Sequence, residues 1–270
     1  MPGAARDFVT IPSDNVTALA VGGDGTLWVG TRPYLIWDRS RCAEPDCQGM
    51  WSLAGGGLAG RLDGVWRRWR PTDDSATGCY GVAIADIAVE TGAQGGGRAW
   101  VAALGNGVLL MRGGLQAASC EGSQAYYRER RGSGPTAAPG LEGRFALAVD
   151  VDAQRRVWIA TAADPDSAAP LSILDPMGTY DDSSGSLSPW ATDDVWTTFT
   201  RDDAAPVATL VSDLDVSVPG ARLLATRDDI LGDGDGLRAL DDAAPPGGAR
   251  WRAFRTAESG LPSNHLSAIA

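Results

Sequence analysis

The chain has 270 residues, 44% of them apolar, enough to bury the core of one large all-β domain or two small ones without a disulfide or metal. Its 35 Gly and 16 Pro lie between short apolar runs, which argues against long helices and low-complexity disorder and for many turns and short strands. The net charge of −11 sits in the second half, since residues 1–135 carry 13 acidic and 13 basic side chains and residues 136–270 carry 21 and 10, so the excess Arg and Lys that a nucleic-acid surface needs is missing.

Taken in chain order, residues 6–11 read as the end of one repeating unit. Arg6-Asp7-Phe8-Val9-Thr10-Ile11-Pro12-Ser13 and Asn15 match, in order, Arg252 to Arg255 followed by Gly260-Leu261-Pro262-Ser263-Asn264. A first strand follows at Thr17-Ala18-Leu19-Ala20-Val21, then the hairpin signal Asp24-Gly25, then a second strand at Leu27-Trp28-Val29-Gly30-Thr31. The first pattern returns around Ile87, Leu147, Leu214 and Ile269, at spacings of 68, 60, 67 and 55 residues counted from Leu19. The second returns as Ala99-Trp100-Val101, Val157-Trp158-Ile159 and, with Leu224 in the tryptophan's place, Leu223-Leu224-Ala225.

Third strands are expected at 57–62, 107–112, 171–175 and 236–240, and fourth strands at 65–70, 125–130, 195–200 and 250–255. The fourth strands carry aromatic pairs three apart, Trp66/Trp69, Trp196/Phe199 and Trp251/Phe254. Four short strands per repeat, with no helical period between them, predict an all-β propeller of four-stranded antiparallel blades. The expected blades are 16–70, 82–131, 144–200 and 208–255, with 6–11 and 265–270 belonging to flanking blades of a larger ring, and the whole of 1–270 forming one propeller region. The second strand, apolar at successive positions, suits burial on both faces, and the alanines of the first suit an inner strand near a crowded axis.

Gly260-Leu261-Pro262-Ser263-Asn264, read with Gly23-Asp24-Gly25-Thr26-Leu27-Trp28-Val29-Gly30-Thr31, resembles the two-component regulator propeller repeat. The resemblance extends over nearly the whole chain as divergent copies. It implies an extracytoplasmic ligand-sensing module of a bacterial signalling protein, periplasmic or extracellular, with an output domain elsewhere in a longer parent protein. The opening Met1 to Asp7 lacks the features of a signal peptide, and nowhere do 18 apolar residues run together, so no membrane segment is expected in this chain.

Ligand contact is expected at Tyr34, Trp37 and Trp51, in the insertion between the second and third strands of the first blade, and at Trp190. The same aromatics could instead fold the insertion onto the blade. The ligand is a small molecule, a glycan or a protein. Cys42 and Cys47 are the favoured disulfide pair, while a bridge between Cys79 and Cys120 is left open. Trp28, Trp100, Trp158, Asp24 and Gly25 are read as structural repeat positions. The paired aspartates of the second half suit either turn-forming loops or a calcium site, with the EF-hand pattern failing at Leu231. With one histidine, His265, no lysine and no Gly-x-Ser-x-Gly elbow, the chain shows no catalytic motif, metal site or cofactor loop. An enzyme acting through channel carboxylates, and a plain protein-interaction scaffold, are the alternative readings.

Overall fold

The computed structural model describes residues 11–38, 50–69, 83–90, 98–104, 107–111, 124–127, 141, 145–162, 171–175, 195–199, 210–218, 220, 222–227, 236–241, 251–264, 266, 267 and 269. They form four antiparallel sheets of four strands each, in sequential order within each sheet. The first blade holds β1 (Val16–Val21), β2 (Leu27–Asp38), β3 (Met50–Leu62) and β4 (Val65–Trp69), and the second holds β5 (Ile84–Val89), β6 (Ala99–Ala103), β7 (Gly107–Met111) and β8 (Gln124–Tyr127). The third holds β9 (Ala146–Val151), β10 (Val157–Thr161), β11 (Leu171–Asp175) and β12 (Val195–Phe199). The fourth holds β13 (Leu210–Asp215), β14 (Arg222–Arg227), β15 (Leu237–Leu240) and β16 (Trp251–Phe254), followed by the one-turn helix α1 (Thr256–Ser259).

Alternation along each strand sends neighbouring side chains to opposite faces, and each face meets a different blade. On β6, Ala99, Val101 and Ala103 join Trp28 and Leu58 in a core between the first and second blades, whereas Trp100 and Ala102 join Val149, Val157 and Ile159 in a core between the second and third. On β10, Trp158 and Ala160 turn to the fourth blade and meet Leu214, Leu224 and Trp251. The aromatic spacing of three has the same logic: Trp196 packs against the core on one side of the third blade and Phe199 against the core on the other. The four sheets thus stack as propeller blades in an open arc, with the inner strands β1, β5, β9 and β13 as successive neighbours.

Ladder register refines the repeat. Each inner strand has an irregularity at its first third, at Thr17, Ala85, Leu147 and Ser212. The bulge makes Val149, not Leu147, the equivalent of Leu19, Ile87 and Leu214, because all four lie one residue beyond the partner of Gly30, Ala102, Ala160 or Ala225. The same register puts Leu223 at the place of Trp28, Trp100 and Trp158, so Leu224 corresponds to Val29 instead. Packing agrees, since Leu224 faces the preceding blade as Val101 and Ile159 do.

The hairpin at Asp24-Gly25 is longer than a two-residue turn. Gly25 N–H donates to the Gly22 carbonyl (2.9 Å) and Gly22 N–H to the Thr26 carbonyl (2.8 Å), with only Gly25 left-handed (φ 82°). That is a three-residue loop closing on a left-handed residue. Asp24 stiffens it by accepting from the Thr26 N–H and hydroxyl, both at 2.9 Å.

After the fourth blade, the Gly260 to Asn264 stretch brings the chain back against that blade. Asn264 Oδ1 accepts from Thr256 N–H (2.7 Å), Leu266 N–H donates to the Thr226 carbonyl (3.0 Å), and Ile269 N–H reaches Asp213 (2.7 Å). Asn264, Leu266 and Ile269 thus bond to the fourth blade and its following turn. At the other end of the arc, Leu19 is 65% and Val21 68% exposed, whereas Ile87, Val149 and Leu214 are 6%, 2% and 6% exposed under a preceding blade.

This difference gives a direct check on the stacking. Ile87→Asp should destabilise the protein by about 3–5 kcal/mol through an uncompensated buried charge, while the equivalent Leu19→Asp should change stability by no more than about 0.5 kcal/mol. Chemical denaturation of both variants measures the contrast.

Candidate functional site

Three places in the fold bring chemistry together: the seams between inner strands, the extended hairpin of the first blade, and a cavity between the third and fourth blades.

At the seams, side chains of one inner strand bond the backbone of the next. Asp86 accepts from its neighbour Ile87 N–H (2.8 Å) and, across the seam, from Val149 N–H (2.9 Å). Asp150 repeats this two positions further along, accepting from Val151 N–H (2.7 Å) and Val216 N–H (2.7 Å). Asp213 takes Leu214 N–H (2.9 Å) and Ile269 N–H (2.7 Å). Hydroxyls do the complementary work, with Thr17 Oγ1 donating to the Ile84 carbonyl and Ser212 Oγ to the Leu266 carbonyl, both at 2.6 Å. The three carboxylates are thus held by two backbone amides each.

Burial pushes the Asp86 carboxyl up to about 6, against the pull of its two backbone hydrogen bonds and with a smaller push from Asp213 and Asp150. Asp150 and Asp213 are raised for the same leading reason, desolvation. A carboxyl that binds its proton more tightly folded than unfolded stabilises the fold fully below its unfolded value of 3.8, and this is lost as pH rises through about 6. Unfolding midpoints should therefore fall between pH 4 and 7, with up to roughly 3 kcal/mol of the change from Asp86. Asp86→Asn should flatten the slope while lowering stability at pH 4, because its amide replaces one accepted N–H with a second donor.

A second polar device fixes the tryptophans. Trp100 Nε1 donates to Glu90 (2.9 Å) and Trp158 Nε1 to Asp152 (3.0 Å), acids that directly follow β5 and β9. Arg155 Nη2 reaches back to Glu90 at 3.1 Å and ties the third blade to the second. Arg155 occupies the left-handed position of its turn (φ 65°) that Gly25 fills in the first blade. The ion pair offsets the cost of holding a side chain in that conformation. Arg155→Ala and Arg155→Gly both lose the pair, but Gly also removes the strain. The Gly variant should be about 1 kcal/mol more stable than the Ala variant in thermal or denaturant unfolding.

On either side of residues 39–49, the described part of the first blade's insertion continues β2 and β3. Pairing runs on from Thr31 and Gly57 through Pro33 and Gly55 to Asp38 and Met50, with Trp37 directly opposite Trp51. Tyr34, on the same ribbon, is 51% exposed. Cys42, Cys47, Cys79, Cys120, Trp190 and His265, and all but one of the paired aspartates, lie outside the described residues. Among the described residues no group of three or more His, Cys, Asp or Glu side chains is arranged to hold a metal ion, and no helix is long and apolar enough to cross a membrane.

The cavity, of about 530 Å³, was not foreseen from the repeat pattern. Its apolar lining comes from Trp158, Ile173, Phe199, Leu240 and Val195. Its polar lining comes from Gln154, Arg156, Arg222, Thr197 and Asp175. Phe199 stacks beside Trp158 (ring centroids 6.3 Å apart) and meets Trp251 edge-on (5.9 Å). The signal that could have revealed the cavity is Arg222: register places it where the other blades have Leu27, Ala99 and Val157. A single cation at an otherwise apolar blade-facing position is a departure that the blurred fourth repeat concealed.

Together these features define a β-propeller segment. Residues 10–32, which span the first inner strand, its turn and Trp28, match the family described as two component regulator propeller. In fold, the chain is similar to the extracellular domain of a hybrid two component system from B. thetaiotaomicron, with a TM-score of 0.53 and 12% identity over 91% of this chain and 25% of that one. It is also similar to PorZ, a bacterial surface component of the type-IX secretion system of Porphyromonas gingivalis, with a TM-score of 0.56 and 14% identity over 99% of this chain and 31% of that one. The chain thus spans between a quarter and a third of the length of these two structures. No curated protein matches it in sequence.

Proposed function

We propose that this chain is a ligand-binding propeller module of a bacterial signalling protein working outside the cytoplasm. The observation that carries the reading is the regulator-propeller match at residues 10–32, where Asp24, Gly25 and Trp28 build the turn and the first inter-blade core. The fold likeness to an extracellular domain of a hybrid two component system supports the same reading. So does the aromatic ribbon carrying Tyr34, Trp37 and Trp51, which stands on a rigid blade where binding segments are usually found. The ligand is a small molecule, a glycan or a protein, and its bound state passes to an output domain in a longer parent protein. The inner carboxylates serve the seams, which favours binding over catalysis.

A thermal-shift screen of small organic acids, amino acids and oligosaccharides tests this. A ligand present at about a hundred times its Kd adds about 2.7 kcal/mol, which corresponds to a rise in Tm of about 5–10 °C for a domain of this size. Tyr34→Ala, which alters an exposed side chain, should leave the unliganded Tm unchanged and reduce the shift for a ligand bound at the ribbon. A screen without any shift, or steady turnover of a compound by the purified chain, would count against the proposal.

A further inference from the structure

The two ends of the arc carry matching halves of one seam. Ile11-Pro12-Ser13-Asp14-Asn15-Val16-Thr17-Ala18-Leu19-Ala20 returns as Leu261-Pro262-Ser263-Asn264-His265-Leu266-Ser267-Ala268-Ile269-Ala270. Hydrogen bonds fix the same correspondence in space. Thr17 Oγ1 donates to the Ile84 carbonyl and Ser212 Oγ to the Leu266 carbonyl, both at 2.6 Å, while Asp86 takes the Val149 N–H and Asp213 the Ile269 N–H. Leu266 therefore stands to the fourth blade as Ile84 stands to the first, and Ile269 takes the place that Leu19, Ile87 and Val149 hold on β1, β5 and β9.

Each end leaves its half of that seam unused. Ser267 follows Leu266 as Thr17 follows Val16, and Ser267-Ala268 repeats the hydroxyl-alanine pair Thr17-Ala18 that joins the first two blades. Yet Ser267 is exposed, and its hydroxyl has no partner among the described residues. At the other end, register puts the Val16 carbonyl where that of Ile84 lies on the second blade, since Val16 pairs with Thr31 and Ile84 with Ala103 on either side of the same bulge. Leu19 and Val21 beside it are 65% and 68% exposed, whereas Val29 and Ala59, opposite Leu19 on the same face of the sheet, are buried. The uncovered strip is thus one inner strand wide, the width of a segment such as 264–269. Charge sets the direction: residues 136–270 carry all of the excess negative charge and residues 1–135 are balanced, so two tails repel where a head and a tail do not.

We propose that the inner edge of the first blade is an interface for a second copy of this chain, bound head to tail. Ser267 of one copy donates to the Val16 carbonyl of the next, and residues 264–269 of the first cover Leu19 and Val21 of the second. Because the two surfaces differ, the contact is heterologous, and copies add in succession or close into a ring. The interface goes beyond the ligand-binding reading and does not depend on it.

Sedimentation equilibrium of the full chain tests this, with the weight-average mass rising above that of one copy as concentration goes from about 2 to about 200 µM. Leu19→Asp blocks the head and Ser267→Glu blocks the tail, both at exposed positions. Each variant alone should keep the mass of one copy at about 200 µM, and an equal mixture of the two should give a one-to-one dimer and nothing larger. Circular dichroism and Tm identify a variant that fails to fold, and Val21→Asp then takes the place of Leu19→Asp. A chain that keeps the mass of one copy at every concentration overturns the proposal, and so does association that neither variant weakens. If Ser267→Glu still dimerises alone and the mixture gives no mixed dimer, first blades meet each other and the head-to-tail assignment fails.

Discussion

Everything in this fold depends on how one inner strand is joined to the next. A four-stranded sheet hydrogen-bonds its own inner strand along one edge only, and in a propeller the other edge turns toward the axis and the neighbouring blades. Here that edge is met by side chains: Thr17 and Ser212 supply hydroxyl donors to carbonyls across the seam, and Asp86, Asp150 and Asp213 supply acceptors to amides. Each seam thereby satisfies polar backbone groups that would otherwise be costly beside an apolar core. Trp28, Trp100 and Trp158 are fully buried in the apolar layers between blades, while these polar stitches fix the register in which the layers meet.

The stitching carries a cost that the aspartates reveal. Their carboxyls are raised by desolvation even though each accepts two amide hydrogen bonds, so burial outweighs hydrogen bonding at these positions. Uncharged hydroxyls serve the seam between the first two blades, and carboxylates serve the next two. The arc is therefore not uniform along its length. The joints that weaken as pH rises run from the second blade to the fourth.

Much of the architecture was legible in the sequence because it rests on period. Strand β11 falls at Leu171–Asp175 as the apolar run marks it, and most other strands agree within a residue or two. Trp100 and Trp158 are fully buried on second strands covered on both faces, as runs of successive apolar residues imply. What pattern could not resolve was a slip of one or two residues. The bulge at Leu147 displaces the equivalence to Val149, and the fourth blade's Leu223-Leu224 pair reads equally well in either register until the ladder to Asp213 and Leu214 sets it. The insertion after Thr31 was invisible as a strand because glycines at 55–57 and Pro33 read as loop signals, yet pairing continues through them to Asp38 and Met50. The cavity depends on Arg156, Phe199 and Arg222, residues from a hairpin turn and two strands of two blades, and no one-dimensional pattern joins them.

The most direct measurement of the central claim is amide hydrogen exchange at the seams. If the carboxylates of Asp86 and Asp150 hold the inner strands together, the N–H groups of Val149 and Val216 exchange only when the protein unfolds globally, as slowly as those in the middle of β6 and β10. Exchange of Val149 and Val216 at the rate of an exposed sheet edge, with β6 and β10 still protected, would show blades that stack by apolar contact alone and would contradict the account.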